Sequence, residues 1–143
     1  MSGLYATESG RVVSTLCEEL TTFRRARKVL HLPRTSRPAT FYVRARAYGR
    51  SRGPLRVAVN GTEVHALEPR GPEPPRYRWY TFSVEPRLMR SGENAFESWP
   101  DATAMDAWSL ALEPGHAQPE SFISDDGGAR WRDRRMGYLN AVR

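Results

Sequence analysis

Residues 54–64 read Pro54-Leu55-Arg56-Val57-Ala58-Val59-Asn60-Gly61-Thr62-Glu63-Val64, and this stretch decides the fold. Leu55, Val57 and Val59 alternate with polar or small residues, the period of a strand that buries one side. Asn60-Gly61 is a preferred pair for a two-residue type I′ turn, because both central positions need positive φ. The segment is therefore expected to be a β-hairpin, and its strands antiparallel. Asn60-Gly61-Thr62 also matches a glycosylation acceptor, but the tight turn already accounts for the Asn-Gly pair.

The same alternation recurs on either side. Upstream, Phe41, Val43, Ala45 and Ala47 alternate with Tyr42, Arg44, Arg46 and Tyr48. Downstream, Tyr80, Phe82 and Val84 share one face while Trp79 takes the other, and residues 93–99 and 107–113 predict two further strands, the latter aligning Trp108, Leu110 and Leu112. Between them, residues 69–75 (PRGPEPP) cannot join a sheet interior because proline has no amide donor. Residues 86–92 predict one helical turn closed by Gly92. Residues 12–25 mix near-helical spacing of Leu16, Leu20 and Phe23 with extended-favouring Val12, Val13, Thr15 and Thr21, and we read strands there. Residues 29–32 predict a separate strand ahead of Pro33. Six to eight short strands at intervals of roughly ten residues predict an all-β fold, an antiparallel β-sandwich.

A length of 143 residues suits a single domain spanning 1–143, with 39% hydrophobic and 10% aromatic residues to form its core. Residues 1–10 are expected to be flexible and residues 114–143 to form a C-terminal extension. The net charge is +6, and every basic residue except Lys28 is arginine. The arginines are spread along the chain, with clusters at 24–28 and 130–135, as expected of solvated faces. A nucleic-acid partner, which needs one continuous basic stripe, is not expected. Cys17 is the only cysteine, which excludes an intrachain disulfide and a cysteine zinc site. The opening MSGLYATESGR lacks the apolar core of a secretory signal, and no run reaches membrane-spanning length. The expectation is a cytoplasmic protein without a membrane partner.

Little points to catalysis. His31, His65 and His116 are scattered, and neither a phosphate-binding glycine loop nor a nucleophile elbow is present. Glu97 and Asp101 could flank a glycosidic bond, as any pair among 16 acidic residues could. The chain is read as a non-enzyme. A structural calcium would find oxygen ligands in Asp101 and Asp106, or in Asp125 and Asp126, although aspartates in such loops more commonly stabilise turns; no cofactor is expected beyond that.

Four pieces taken in order carry a family resemblance: FYVRARAYG (41–49), LRVAVNGTEV (55–64), YRWYTFSVEPRLMRSGEN (77–94) and AWSLALE (107–113). Their succession resembles the galactose-binding-like jelly-roll domains and carbohydrate-binding modules, with a "W-x-x-F-x-V" strand and a turn ending in "G-x-N". The resemblance covers about half of the chain. It implies a non-catalytic binding or accessory module, often for carbohydrate and often with structural calcium; some members bind proteins, so a protein partner or a homo-oligomer is the alternative. Sugar recognition needs an aromatic plane to stack on the ring and polar groups to bond its hydroxyls. Tyr42, Arg44, Arg46, Tyr48, Trp79 and Trp99 can supply both. Residues 124–131, SDDGGARW, resemble the Asp-box of sialidases, S-x-D-x-G-x-T-W: Ser124, Asp126, Gly128 and Trp131 match, and Arg130 replaces threonine. One copy cannot build a propeller, and its chemistry favours a hairpin turn over a metal or catalytic site.

Overall fold

Asn60 and Gly61 take φ of 49° and 84° and close the hairpin between β4 (Leu55–Val59) and β5 (Thr62–Leu67), as their sequence predicts. In the computed structural model the described residues are 17–47, 53–69, 77–101, 108–113, 121–134, 137–138 and 140–142. Ahead of this hairpin come β1 (Cys17–Leu20), β2 (Arg25–Leu32) and β3 (Ala39–Ala47). After it come β6 (Arg78–Val84), a 3-10 turn (Pro86–Leu88), β7 (Gly92–Pro100), β8 (Trp108–Glu113), β9 (Ser121–Ser124), β10 (Arg132–Arg134), β11 (Gly137–Tyr138) and β12 (Asn140–Val142).

The strands form two antiparallel sheets. The second sheet has the order β10-β9-β2-β7-β4-β5. In the first, β3 pairs with β6 along one edge; along the other it pairs with β12 over Phe41–Val43 and with β8 over Ala45–Ala47. Further along, β8 pairs with β11 and, on its far edge, with β1. The C-terminal strands thus run where β3 and β8 part.

Burial follows the alternation. Phe41, Val43 and Ala45 of β3 are at most 2% exposed, and Tyr80, Phe82 and Val84 of β6 at most 5%. Phe41 and Phe82 from the first sheet stack with Phe96 of the second at 5.6–5.8 Å, joining the two layers into one core. Trp108 is fully buried, meets the Tyr80 ring edge-on at 5.3 Å, and donates from Nε1 to the Gly53 carbonyl at 3.0 Å. That bond satisfies the one polar group the indole carries inside.

Three details depart from the sequence reading. Residues 25–32 form one continuous strand, with Ala26, Lys28, Leu30 and Leu32 all inward. Lys28, expected on a solvated basic face, is therefore 1% exposed within the sandwich. The expected helical turn contracts to three residues, because the Arg90 amide bonds the Asn94 side chain instead of continuing a helix. The described residues hold twelve strands, more than the six to eight expected, the additional ones being pieces of two to four residues near either end of the chain.

Candidate functional site

Of the six residues singled out by sequence, four share a face. Tyr42, Arg44 and Arg46 project from β3 on the side opposite Phe41, Val43 and Ala45, and all three are half-buried. Cross-strand register sets Trp79 of β6 directly opposite Arg44, and Thr81 opposite Tyr42. The Arg44 guanidinium lies 5.8 Å from the Trp79 ring centre. Arg46 sits 5.2 Å from the ring of Tyr77, whose hydroxyl pairs with Ser109 Oγ at 2.7 Å. Tyr48 lies outside the described residues.

Trp99 belongs elsewhere. It projects from β7 onto the outer face of the second sheet, opposite Arg56 of β4. There the Arg25 guanidinium covers its ring at 4.5 Å, and Arg27 covers Trp131 in the same way at 4.1 Å. Period-two parity could place Trp99 on an outer face, but not on a particular sheet, since that depends on how the chain crosses between layers.

The two faces differ in how their arginines are employed. On the second sheet, Arg27 bonds Glu97 at 2.7 Å, and Arg56 bonds both Asp101 and Glu63. Arg132 bonds Asp125 at 2.8 Å, and Arg25 donates to the Thr22 carbonyl at 2.8 Å. These pairs hold Asp101 below the usual carboxylate range, chiefly through its hydrogen bonds from Arg56, and raise the Arg56 guanidinium in return. Arg44 of the first sheet has no carboxylate among the described residues. Its Nε is buried without a hydrogen-bond partner, and burial pulls its pKa below the ordinary arginine value. A desolvated guanidinium with an unused donor is costly unless a ligand or water supplies an acceptor.

Residues 124–131 connect β9 to β10. Ser124 Oγ donates to Asp126 Oδ1 at 2.8 Å and accepts from the Gly128 amide at 2.9 Å; Asp126 Oδ1 also accepts from the Arg130 amide at 2.8 Å. Gly127 and Gly128 take φ of 74° and 93°. The Arg130 amide and the Ser124 hydroxyl hold Asp126 below the usual carboxylate range. Both aspartates of this stretch are thus engaged locally, Asp126 with the turn and Asp125 with Arg132. Among the described residues no group of three or more His, Cys, Asp or Glu side chains could hold a metal ion. Asp106 and His116 fall outside them. His31 faces Glu93 at 3.9 Å and His65 stacks on Phe82 at 5.9 Å, so the two described histidines are not brought together. Glu97 and Asp101 each answer an arginine.

Thr81 and Tyr77 are members of the first-sheet face that sequence reasoning passed over; their spacing of two residues from Trp79 was the available signal. Comparison with known proteins adds little. No protein-family model matches the chain, and no curated protein does. Among solved structures it is similar to a family 35 carbohydrate binding module from an environmental isolate, at 13% identity and a TM-score of 0.48, over 96% of this chain and 88% of that one.

Proposed function

We propose that the chain is a binding module, without catalytic activity, whose first-sheet outer face recognises carbohydrate. The observation that carries this reading is Arg44: half-buried, free of any carboxylate among the described residues, with its Nε unsatisfied, and set opposite Trp79. A sugar hydroxyl or ring oxygen is an acceptor of the kind Arg44 lacks. Trp79 offers the stacking plane, because a guanidinium 5.8 Å away covers a ring less closely than those 4.1 and 4.5 Å from Trp131 and Trp99. Tyr42 and Thr81 line the same face and add hydroxyls. This arrangement displays no converging acid and base, and on this reading it holds a ligand without transforming it.

The test is a glycan array at two salt concentrations, followed by calorimetry on the best ligand. Binding should survive added salt, since sugar hydroxyls carry no charge. Trp79→Ala and Arg44→Ala should each weaken it at least about tenfold, while Trp99→Ala leaves it unchanged. Absence of binding to any glycan, or an effect of Trp99→Ala as large as that of Trp79→Ala, would overturn the reading.

A further inference from the structure

A cavity of about 460 Å³ opens between residues 33–35, which follow β2, and residues 86–91, which follow β6. Arg34, Arg87 and Arg90 line it together with Thr35, Ser91 and Met89, and no carboxylate does. The three guanidiniums make no hydrogen bond or ion pair to any side chain among the described residues. This contrasts with the second sheet, where Arg27, Arg56 and Arg132 all have acidic partners. Glu85 and Glu93 are near in sequence, but they are exposed and lie outside the lining.

Hydrogen bonds hold the backbone beside this cavity. Asn94, 1% exposed, accepts from the Arg90 amide at 2.7 Å and donates to the Arg90 carbonyl at 2.8 Å, fixing that residue's backbone on both sides. Asn60 Nδ2 in turn bonds Asn94 Oδ1 and the Leu88 carbonyl, each at 2.9 Å. The Met89 amide closes back onto the Pro86 carbonyl at 3.1 Å. On the other wall, Thr35 Oγ1 bonds both the amide and the carbonyl of Arg37, which shapes the loop after β2. Three arginines lining one concavity with no carboxylate beside them make it locally positive, which favours an anion there.

We propose that this cavity is an anion site for a compact tetrahedral dianion: the phosphate or sulfate group of a small ligand. Each guanidinium offers a planar fork that matches two such oxygens, and three forks supply the charge and the donors the group needs. Ser91 adds a hydroxyl donor, and Met89 an apolar wall for whatever carries the group. The volume lies within the range of small-molecule pockets, about 300–1,000 Å³. Nothing in this inference depends on the first-sheet face.

Calorimetry at low ionic strength tests it, using inorganic phosphate, sulfate and glucose 6-phosphate as probes. Binding of at least one is expected, weakening steeply as sodium chloride is added. Arg34→Gln, Arg87→Gln and Arg90→Gln should each weaken it about tenfold. Arg56→Gln, an arginine outside the cavity, and Trp79→Ala should leave it intact. Tighter binding of glucose 6-phosphate than of inorganic phosphate identifies an ester ligand, and equal binding a free oxyanion; either supports the site. No binding of any probe, or an equal loss in Arg56→Gln, overturns it. The substituted arginines are exposed, so the variants should melt as the parent does.

Discussion

Replacing Asn94 with alanine should unlatch one end of the sandwich. The Asn94 side chain is 1% exposed and makes four hydrogen bonds: it accepts from the Arg90 amide at 2.7 Å and from Asn60 Nδ2 at 2.9 Å, and donates to the carbonyls of Arg90 at 2.8 Å and Gly92 at 3.0 Å. Alanine leaves all four partners without this contact. At about 1 kcal/mol net for each bond, the loss sums to about 4 kcal/mol. Water reaching the exposed Arg90 segment returns part of that, so about 3 kcal/mol is expected, or a fall in melting temperature of about 10 °C for a domain of this size. Differential scanning calorimetry of the parent and Asn94→Ala measures it. Asn94→Asp is the sharper control: it preserves shape and both acceptor contacts but sets a carboxylate against two carbonyls, and should cost at least as much. A fall below about 3 °C in both variants would show that the network contributes little and would refute the bookkeeping.

Trp108→Ala empties the largest fully buried position and orphans the Gly53 carbonyl; chemical denaturation should show a loss of about 3–5 kcal/mol. Gly61→Ala and Gly128→Ala should each destabilise by about 1 kcal/mol, because both sites hold positive φ while an added Cβ meets nothing at Gly61 and only ordinary contact with Trp131, at 3.5 Å, at Gly128; thermal melts of the two variants should fall by similar amounts. Asp101 and Asp126 titrate below the unfolded carboxylate value of about 4, so the stability they contribute is full above that pH and is lost as pH falls through their folded values. Melting temperatures measured between pH 2 and 6 should therefore fall less steeply in Asp101→Asn/Asp126→Asn than in the parent, and parallel curves would exclude both residues. Glu97→Gln removes the partner of Arg27 at a half-buried site and should cost about 1 kcal/mol or less, which a double-mutant cycle with Arg27→Gln isolates.

The sequence disclosed whatever depends on alternation. The Asn60-Gly61 turn, the inward Phe41-Val43-Ala45 row and the outward Tyr42-Arg44-Arg46 row follow from period-two placement, and Arg44 reaches Trp79 because register carries the two rows into contact. Lys28 was legible by the same rule, since it shares parity with Ala26, Leu30 and Leu32, but three neighbouring arginines disguised its strand as a solvated run. What alternation cannot encode is which strands share a sheet: Trp99 has the right parity and the wrong layer. Strands of two or three residues such as β11 carry no period to detect. The anion cavity draws on two loops some fifty residues apart in sequence, each unremarkable alone. Their arginines gain meaning only once the Asn94 network has set the second loop in place.

The burial of Lys28 has a practical corollary. It is the only lysine in the chain and is 1% exposed, so the native fold shields its one side-chain amine. An amine-directed reagent can acylate that position only in molecules whose sandwich has opened. Mass-spectrometric readout of Lys28 modification over time would then report opening of the native protein without denaturant, as a rate where the reagent outpaces reclosing and as the open population where it does not.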